Sequence, residues 1–177
     1  MPDTAYLDEV GRLVEALRRL GLEPILVGGM ALVMIGSRRV TRHFDFVIRQ
    51  PGERLQDVVD VFYDRGLELA SRVDAAGDVT ATIDNRRVAA VRLRLDAPSS
   101  AYFFKPETGL RIDLLFDFPI SAAMLAKRAR RTKVRSRVFR VASEPDLLRL
   151  KKIAYERRSS PEDATDIAFL EARRRRS

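Results

Sequence analysis

Val27-Gly28-Gly29 and, after a short stretch with helical spacing, Arg39-Val40-Thr41-Arg42-His43-Phe44-Asp45-Phe46-Val47-Ile48 decide how this chain is read. The paired glycines close an apolar run, and a polar turn leads into a second apolar run with an acid in its middle. Glycine has no β-carbon, so backbone amides can approach a ligand closely, and a strand-to-helix turn adds the positive end of a helix dipole. Together these favour phosphate, although a plain tight turn explains the same pair. Two residues before Asp45, on the same face of the expected strand, stands His43, the only histidine.

Outward from this stretch, Leu7, Val10, Val14, Leu17 and Leu20 recur at three- and four-residue steps and predict an amphipathic helix that stops at Gly21. Residues 24–27 read as a short buried strand and 30–35 as a helix ended by Gly36. The run 43–48 is apolar on both faces apart from His43 and Asp45, as a central strand would be. Pro51 then opens a helix carrying Leu55, Val58, Val59, Phe62 and Tyr63 and ending at Gly66. A strand follows over 67–73, while 74–85 is ambiguous: Thr80, Thr82 and Ile83 favour a strand, and a short helix is the alternative. The alternation over 88–95 predicts a strand, and 101–104 with 110–116 predicts a hairpin around Pro106-Glu107-Thr108-Gly109. A helix is expected from Pro119 to about Arg130, then one or two basic strands through Val141. Ser143-Glu144-Pro145-Asp146 and Ser160-Pro161-Glu162-Asp163 each look like a helix start, with a capping serine and early acids. The sum is an α+β fold: a mixed sheet flanked by helices over 1–142, with a C-terminal helix pair over 143–177 packed on it as one domain.

Composition narrows the partners. The chain is 46% hydrophobic and 33% charged, as a soluble globular protein is, and no apolar run approaches the roughly 18 to 20 residues that span a bilayer. No membrane association is therefore expected. Acids at Asp3, Asp8 and Glu9 and the lack of a basic-then-apolar opening argue against a signal peptide. With no cysteine, disulfides and thiolate metal sites are excluded, which fits a cytoplasmic location. The net charge of +8 suggests a polyanionic partner. Its densest part is Lys127 to Arg140, with Lys127, Arg128, Arg130, Arg131, Lys133, Arg135, Arg137 and Arg140; simple solubility is the competing explanation.

Asp45 is the strongest chemical signal. A carboxylate among Phe44, Phe46 and Val47 is costly to bury unless a cation or hydrogen bonds meet it. Asp113 repeats the pattern in Arg111-Ile112-Asp113-Leu114-Leu115-Phe116, where Ile112, Leu114 and Phe116 share one face and Asp113 and Leu115 the other. Two acids on neighbouring strands could hold Mg²⁺ or Mn²⁺ against a triphosphate. Separate salt bridges with the many arginines are the alternative.

These residues together resemble the DNA polymerase β-type nucleotidyltransferase superfamily: Gly28-Gly29, thirteen intervening residues, then His43-Phe44-Asp45-Phe46, with Asp113 on a later strand. Arg39-Val40-Thr41 resembles the approach to the acids in its minimal enzymes. Asp146 to Ala154, Arg157 or Arg158, and Asp163-Ala164-Thr165-Asp166 resemble the tail of its AbiEii toxin-like group. The resemblance implies a nucleotidyltransferase-like fold that transfers a nucleoside monophosphate from an NTP to a hydroxyl, with a toxin role and a cognate antitoxin as further implications. It implies that Gly28 and Gly29 cradle the phosphates, and that Arg39 and Thr41 hold the triphosphate or position the acid strand. Asp45 and Asp113 become the catalytic, metal-binding acids, with Asp113 assisting deprotonation of the attacking hydroxyl. Lys151 becomes a nucleotide-binding lysine, where a solvated helix face is the alternative. Asp163 and Asp166 become the acids of the last helix, where the helix dipole alone explains them.

His43 departs from the pattern, because it stands where the first metal acid is expected. A neutral imidazole suits Mn²⁺, Co²⁺ or Zn²⁺ better than Mg²⁺, or could shuttle protons. The same substitution would also mark a degenerate member kept to bind a nucleotide or a partner. The basic 127–140 stretch makes RNA, such as a tRNA end, the favoured acceptor.

Overall fold

The computed structural model describes residues 3–176. Its elements in order are α1 (Thr4–Arg19), β1 (Ile25–Val27), α2 (Gly28–Met34), β2 (His43–Ile48), α3 (Leu55–Tyr63), β3 (Glu68–Val73), β4 (Val79–Ile83), α4 (Arg86–Asp96), β5 (Ser100–Phe104), β6 (Arg111–Phe116), α5 (Ala122–Ala126), β7 (Arg130–Val134), β8 (Arg137–Val141), α6 (Glu144–Arg158) and α7 (Pro161–Arg174). The strands form one mixed sheet in the order β4-β3-β5-β6-β2-β1-β8-β7. This is an α+β fold, with a mixed sheet flanked by helices and a C-terminal helix pair.

The register sets up the site. β2 runs parallel to β6 and antiparallel to β1, so Val27 faces Asp45 and Asp45 faces Asp113. Alternation then sends Phe44, Phe46 and Ile112, Leu114 to one side, where all four are fully buried, each stabilising the fold by about 2–3 kcal/mol. They join Val10, Leu13 and Leu17 of α1 and Val58, Val59 and Phe62 of α3 in a single core. His43, Asp45, Arg111 and Asp113 are left on the opposite face. The 101–104 and 110–116 runs do form the antiparallel hairpin expected of them.

Two stretches differ from the sequence expectation. The predicted strand over 88–95 is the helix α4. Asn85 caps it, its side chain accepting from the Arg87 and Val88 N–H groups, and only Ala89, Ala90 and Leu93 are buried, at helical spacing. The alternation of Val91, Leu93 and Leu95 with arginines misled because Val88, Val91 and Leu95 are exposed. The helix expected from Pro119 starts later and is shorter: Ser121 caps α5, and the Asp117 carboxylate accepts the Ala122 N–H. In the ambiguous 74–85 stretch the favoured strand forms as β4, after a turn in which the Asp74 carboxylate accepts the Ala76 and Asp78 N–H groups.

Candidate active site

The exposed-face residues of β2 and β6 open into a cleft of about 680 Å³ between the sheet, the β3–β4 turn and α6. Gly28, Gly29, Arg39, Thr41, His43, Asp45, Asp113 and Lys151 all line it. Asp163 and Asp166 do not, but they hold residues that do.

Gly28 has a left-handed backbone (φ +68°), and a β-carbon there would lie 2.3 Å from Asp45 Oδ2. Only glycine lets the strand-to-helix turn close on the carboxylate. A β-carbon at Gly29 would meet the Arg39 guanidinium at 2.8 Å, so that arginine packs directly against the turn. Thr41 Oγ1 accepts the His43 N–H, which braces the entry to β2.

The two acids form a block with His43 on β2 and Arg111 on β6. His43 lies beside Arg111 and Asp45 beside Asp113. The Arg111 guanidinium grips Asp113 with a fork, Nε to Oδ1 at 2.7 Å and Nη2 to Oδ2 at 2.9 Å, and both residues are buried. Its Nη1 donates to the Gly77 carbonyl at 2.8 Å, and it stacks over the Tyr102 ring at 4.2 Å. Burial first, and then the neighbouring Asp113 charge, raise the Asp45 pKa to about 7; Lys151, Arg111 and Arg39 oppose this. Burial likewise raises Asp113 above the ordinary carboxylate range despite Arg111. His43 sits exposed at the cleft mouth, where lost hydration and then Arg111 push its pKa down.

The cations on the far wall are tied into a chain. Lys151 Nζ lies 2.7 Å from Asp166 Oδ2 and 3.2 Å from Asp163 Oδ1. Asp166 also pairs with Arg39, and Asp163 is forked by Arg158 at 2.6 and 3.0 Å. Asp163 is 1% and Asp166 3% exposed, so they are not the solvated helix-start acids that the dipole alone would explain. Burial would raise Asp163, but Arg158 and Lys151 outweigh it and hold its pKa below the ordinary range. The remaining wall is apolar, with Leu115, Phe118, Leu147 and Leu150; Arg157 lies 4.8 Å over the Phe118 ring.

His43, Asp45 and Asp113 offer a divalent metal a poor donor set. Both oxygens of Asp113 accept from Arg111, His43 offers no carboxylate, and only Asp45 keeps a carboxylate free of a cation fork. Among the described residues no three acids, histidines or cysteines converge as a metal-holding group. Sequence reasoning missed Arg111. Its signal was available, since a residue two before Asp113 shares its face of the strand by the same alternation that placed Asp113 itself.

The architecture is a nucleotidyltransferase-like fold. Among solved structures it is similar to the lincomycin-bound lincosamide antibiotic adenylyltransferase LnuA, at 14% identity and TM-score 0.55 over 93% of this chain and 95% of that one. It is also similar to the antibiotic-resistance factor ANT(2'')-Ia, at 12% identity and TM-score 0.59, covering 96% and 83% of the two chains. An antigenic nucleotidyltransferase-like protein from Paracoccidioides brasiliensis shares 16% identity at TM-score 0.59, over 93% and 73%. No protein-family profile matches the sequence, and no curated protein matches it. Among the described residues no helix is long and apolar enough to cross a membrane.

Proposed function

We propose that the cleft binds a nucleoside triphosphate and transfers its nucleoside monophosphate to a hydroxyl acceptor. The observation that carries this reading is the closure of the Gly28 backbone onto Asp45, within a cleft also walled by Arg39, Arg111 and Lys151. Backbone amides and these cations would take the phosphates, offsetting the charge that develops on the leaving pyrophosphate. The acceptor oxygen would attack the α-phosphorus, the bond to pyrophosphate would break, and the hydroxyl proton would pass to Asp45. Asp45 replaces Asp113 in that role because the Arg111 fork occupies Asp113.

RNA remains the acceptor we favour. Arg128, Arg137 and Arg140 are spent on Asp146, on Asp8 and Glu15, and on the Ala126 carbonyl, but Arg130, Arg131, Lys133 and Arg135 stand exposed on the β7 edge and its turn. Kinship to the AbiEii-like toxins rests on the C-terminal motif, whose Lys151, Asp163 and Asp166 serve here as a buried charge chain.

The test is transfer of label from an α-phosphate-labelled NTP to a pool of short RNAs. Asp45→Asn should abolish it; undiminished labelling in that variant, or none in the parent, would sink the reading. A second reading, binding without turnover, is favoured by His43 at the first acid position. Activity that appears only in His43→Asp would establish it.

A further inference from the structure

Granting that the cleft takes a nucleotide, we infer that it binds the nucleotide free of divalent metal, with the Arg111 guanidinium as the fixed cation at the acid pair. Asp45 and Asp113 face each other on β2 and β6, and the next residues outward on the same face are His43 and Arg111. A metal bridging the acids would need an oxygen from each. Both Asp113 oxygens already accept from Arg111, at 2.7 and 2.9 Å.

That fork is not a loose surface pair. Arg111 is 9% and Asp113 7% exposed, so withdrawing the carboxylate to serve a metal would strand a buried guanidinium without its counter-charge. The guanidinium is also held on other sides, through Nη1 to the Gly77 carbonyl and by its face over the Tyr102 ring. Three of its N–H groups are used in this way, and an arginine has others left to donate while the fork stays closed. A planar guanidinium presents paired donors that suit phosphate oxygens as well as carboxylates. Arg111 lines the cleft alongside Arg39 and Lys151, so a triphosphate entering there meets cationic N–H donors on both walls.

The charge balance points the same way. Three carboxylates would attract a divalent ion strongly. In their place this site has two carboxylates, one of them forked by Arg111, and an imidazole where a third acid would stand. Mg²⁺ prefers oxygen donors and gives up its water reluctantly, so it gains little here.

The experiment is calorimetric titration of the full chain with ATP, GTP, CTP and UTP, each in EDTA and again in millimolar Mg²⁺ or Mn²⁺. The tightest-binding NTP should bind in EDTA with a Kd equal to, or lower than, that in metal. Binding seen only with metal would overturn the inference and leave the nucleotide reading intact. Binding in neither condition would overturn both. Arg111→Ala should weaken binding in EDTA by about 10- to 100-fold, the loss of a charge-assisted phosphate contact, and should make binding respond to Mg²⁺ because Asp113 is released. Arg111→Lys keeps the charge without the fork and guards against a variant that fails to fold. If folded Arg111→Ala bound in EDTA as tightly as the parent, or Arg111→Lys bound only with metal, Arg111 would not be the cation in question.

Discussion

Replacing Asp45 with asparagine should stabilise the protein above neutral pH while abolishing the proposed transfer. The Asp45 carboxyl titrates at about 7 in the fold, against 3.8 for an unperturbed one. The folded state therefore holds the proton more tightly than the unfolded chain. The stability this contributes is complete below about pH 4 and is lost as pH rises through 7. A rise of roughly three pH units is worth about 4 kcal/mol, and asparagine, which never ionises, escapes the penalty. It is nearly isosteric, so it respects the close approach of Gly28, and its Nδ2 can still donate toward Asp113. The gain over the parent should be close to zero at pH 4 and about 2–4 kcal/mol at pH 8, a Tm rise of about 5–15 °C for a chain of this size. His43 runs the other way, since its lowered pKa costs stability as pH falls, but it is common to both proteins and cancels in the difference. Urea melts followed by circular dichroism at pH 4, 6 and 8 would measure it. A parent–variant difference that does not change with pH, or an asparagine variant less stable at pH 8, would refute the argument.

Gly28→Ala should cost about 2–4 kcal/mol, from a left-handed backbone and a β-carbon 2.3 Å from Asp45 Oδ2, and should abolish nucleotide binding. A loss under about 1 kcal/mol in a urea melt would mean that the turn relaxes easily. Asp166→Asn removes the carboxylate shared by Arg39 and Lys151 and should destabilise by about 3 kcal/mol; a neutral result would show that Asp163 alone satisfies Lys151. Asp163 has a lowered pKa, so its stabilisation is present above about pH 4 and lost as pH falls below that. Asp163→Asn should therefore be less stable than the parent at pH 7 and approach it near pH 2, checked by melts across that range. If RNA is retained on the β7 edge, its affinity should fall steeply between 50 and 200 mM salt, and a flat salt response would remove RNA from consideration.

Much of the sheet was legible because alternation and apolar runs survive without tertiary knowledge. The 43–48 and 110–116 stretches are cases, and their register brings Asp45 and Asp113 together as the pattern required. The 88–95 stretch was not legible, because its alternating arginines mimic a half-buried strand while its burial follows the helical trio Ala89, Ala90 and Leu93. The glycine pair could be seen, but the reason for it lay in a distance to Asp45 that no linear reading contains. Arg111 was overlooked because the arginines were weighed as a crowd, and its partner is fixed by strand geometry. Asp163 and Asp166 sit where helix-start acids belong, and only the packing of α7 on α6 shows that they are buried counter-charges.

The chain of pairs from Arg39 through Asp166 and Lys151 to Asp163 and Arg158 also bears on the order of synthesis. Arg39 leaves the ribosome 127 residues before Asp166 does. Until then the glycine turn and the acid strand can be made, but the arginine lying on that turn has no carboxylate to hold it. A nascent chain that has reached only α6 carries Arg39, Lys151 and Arg158 without their α7 carboxylates, while Arg111 is already held by Asp113. The far wall of the site is therefore completed last, when α7 brings Asp163 and Asp166 to the three cations that wait for them.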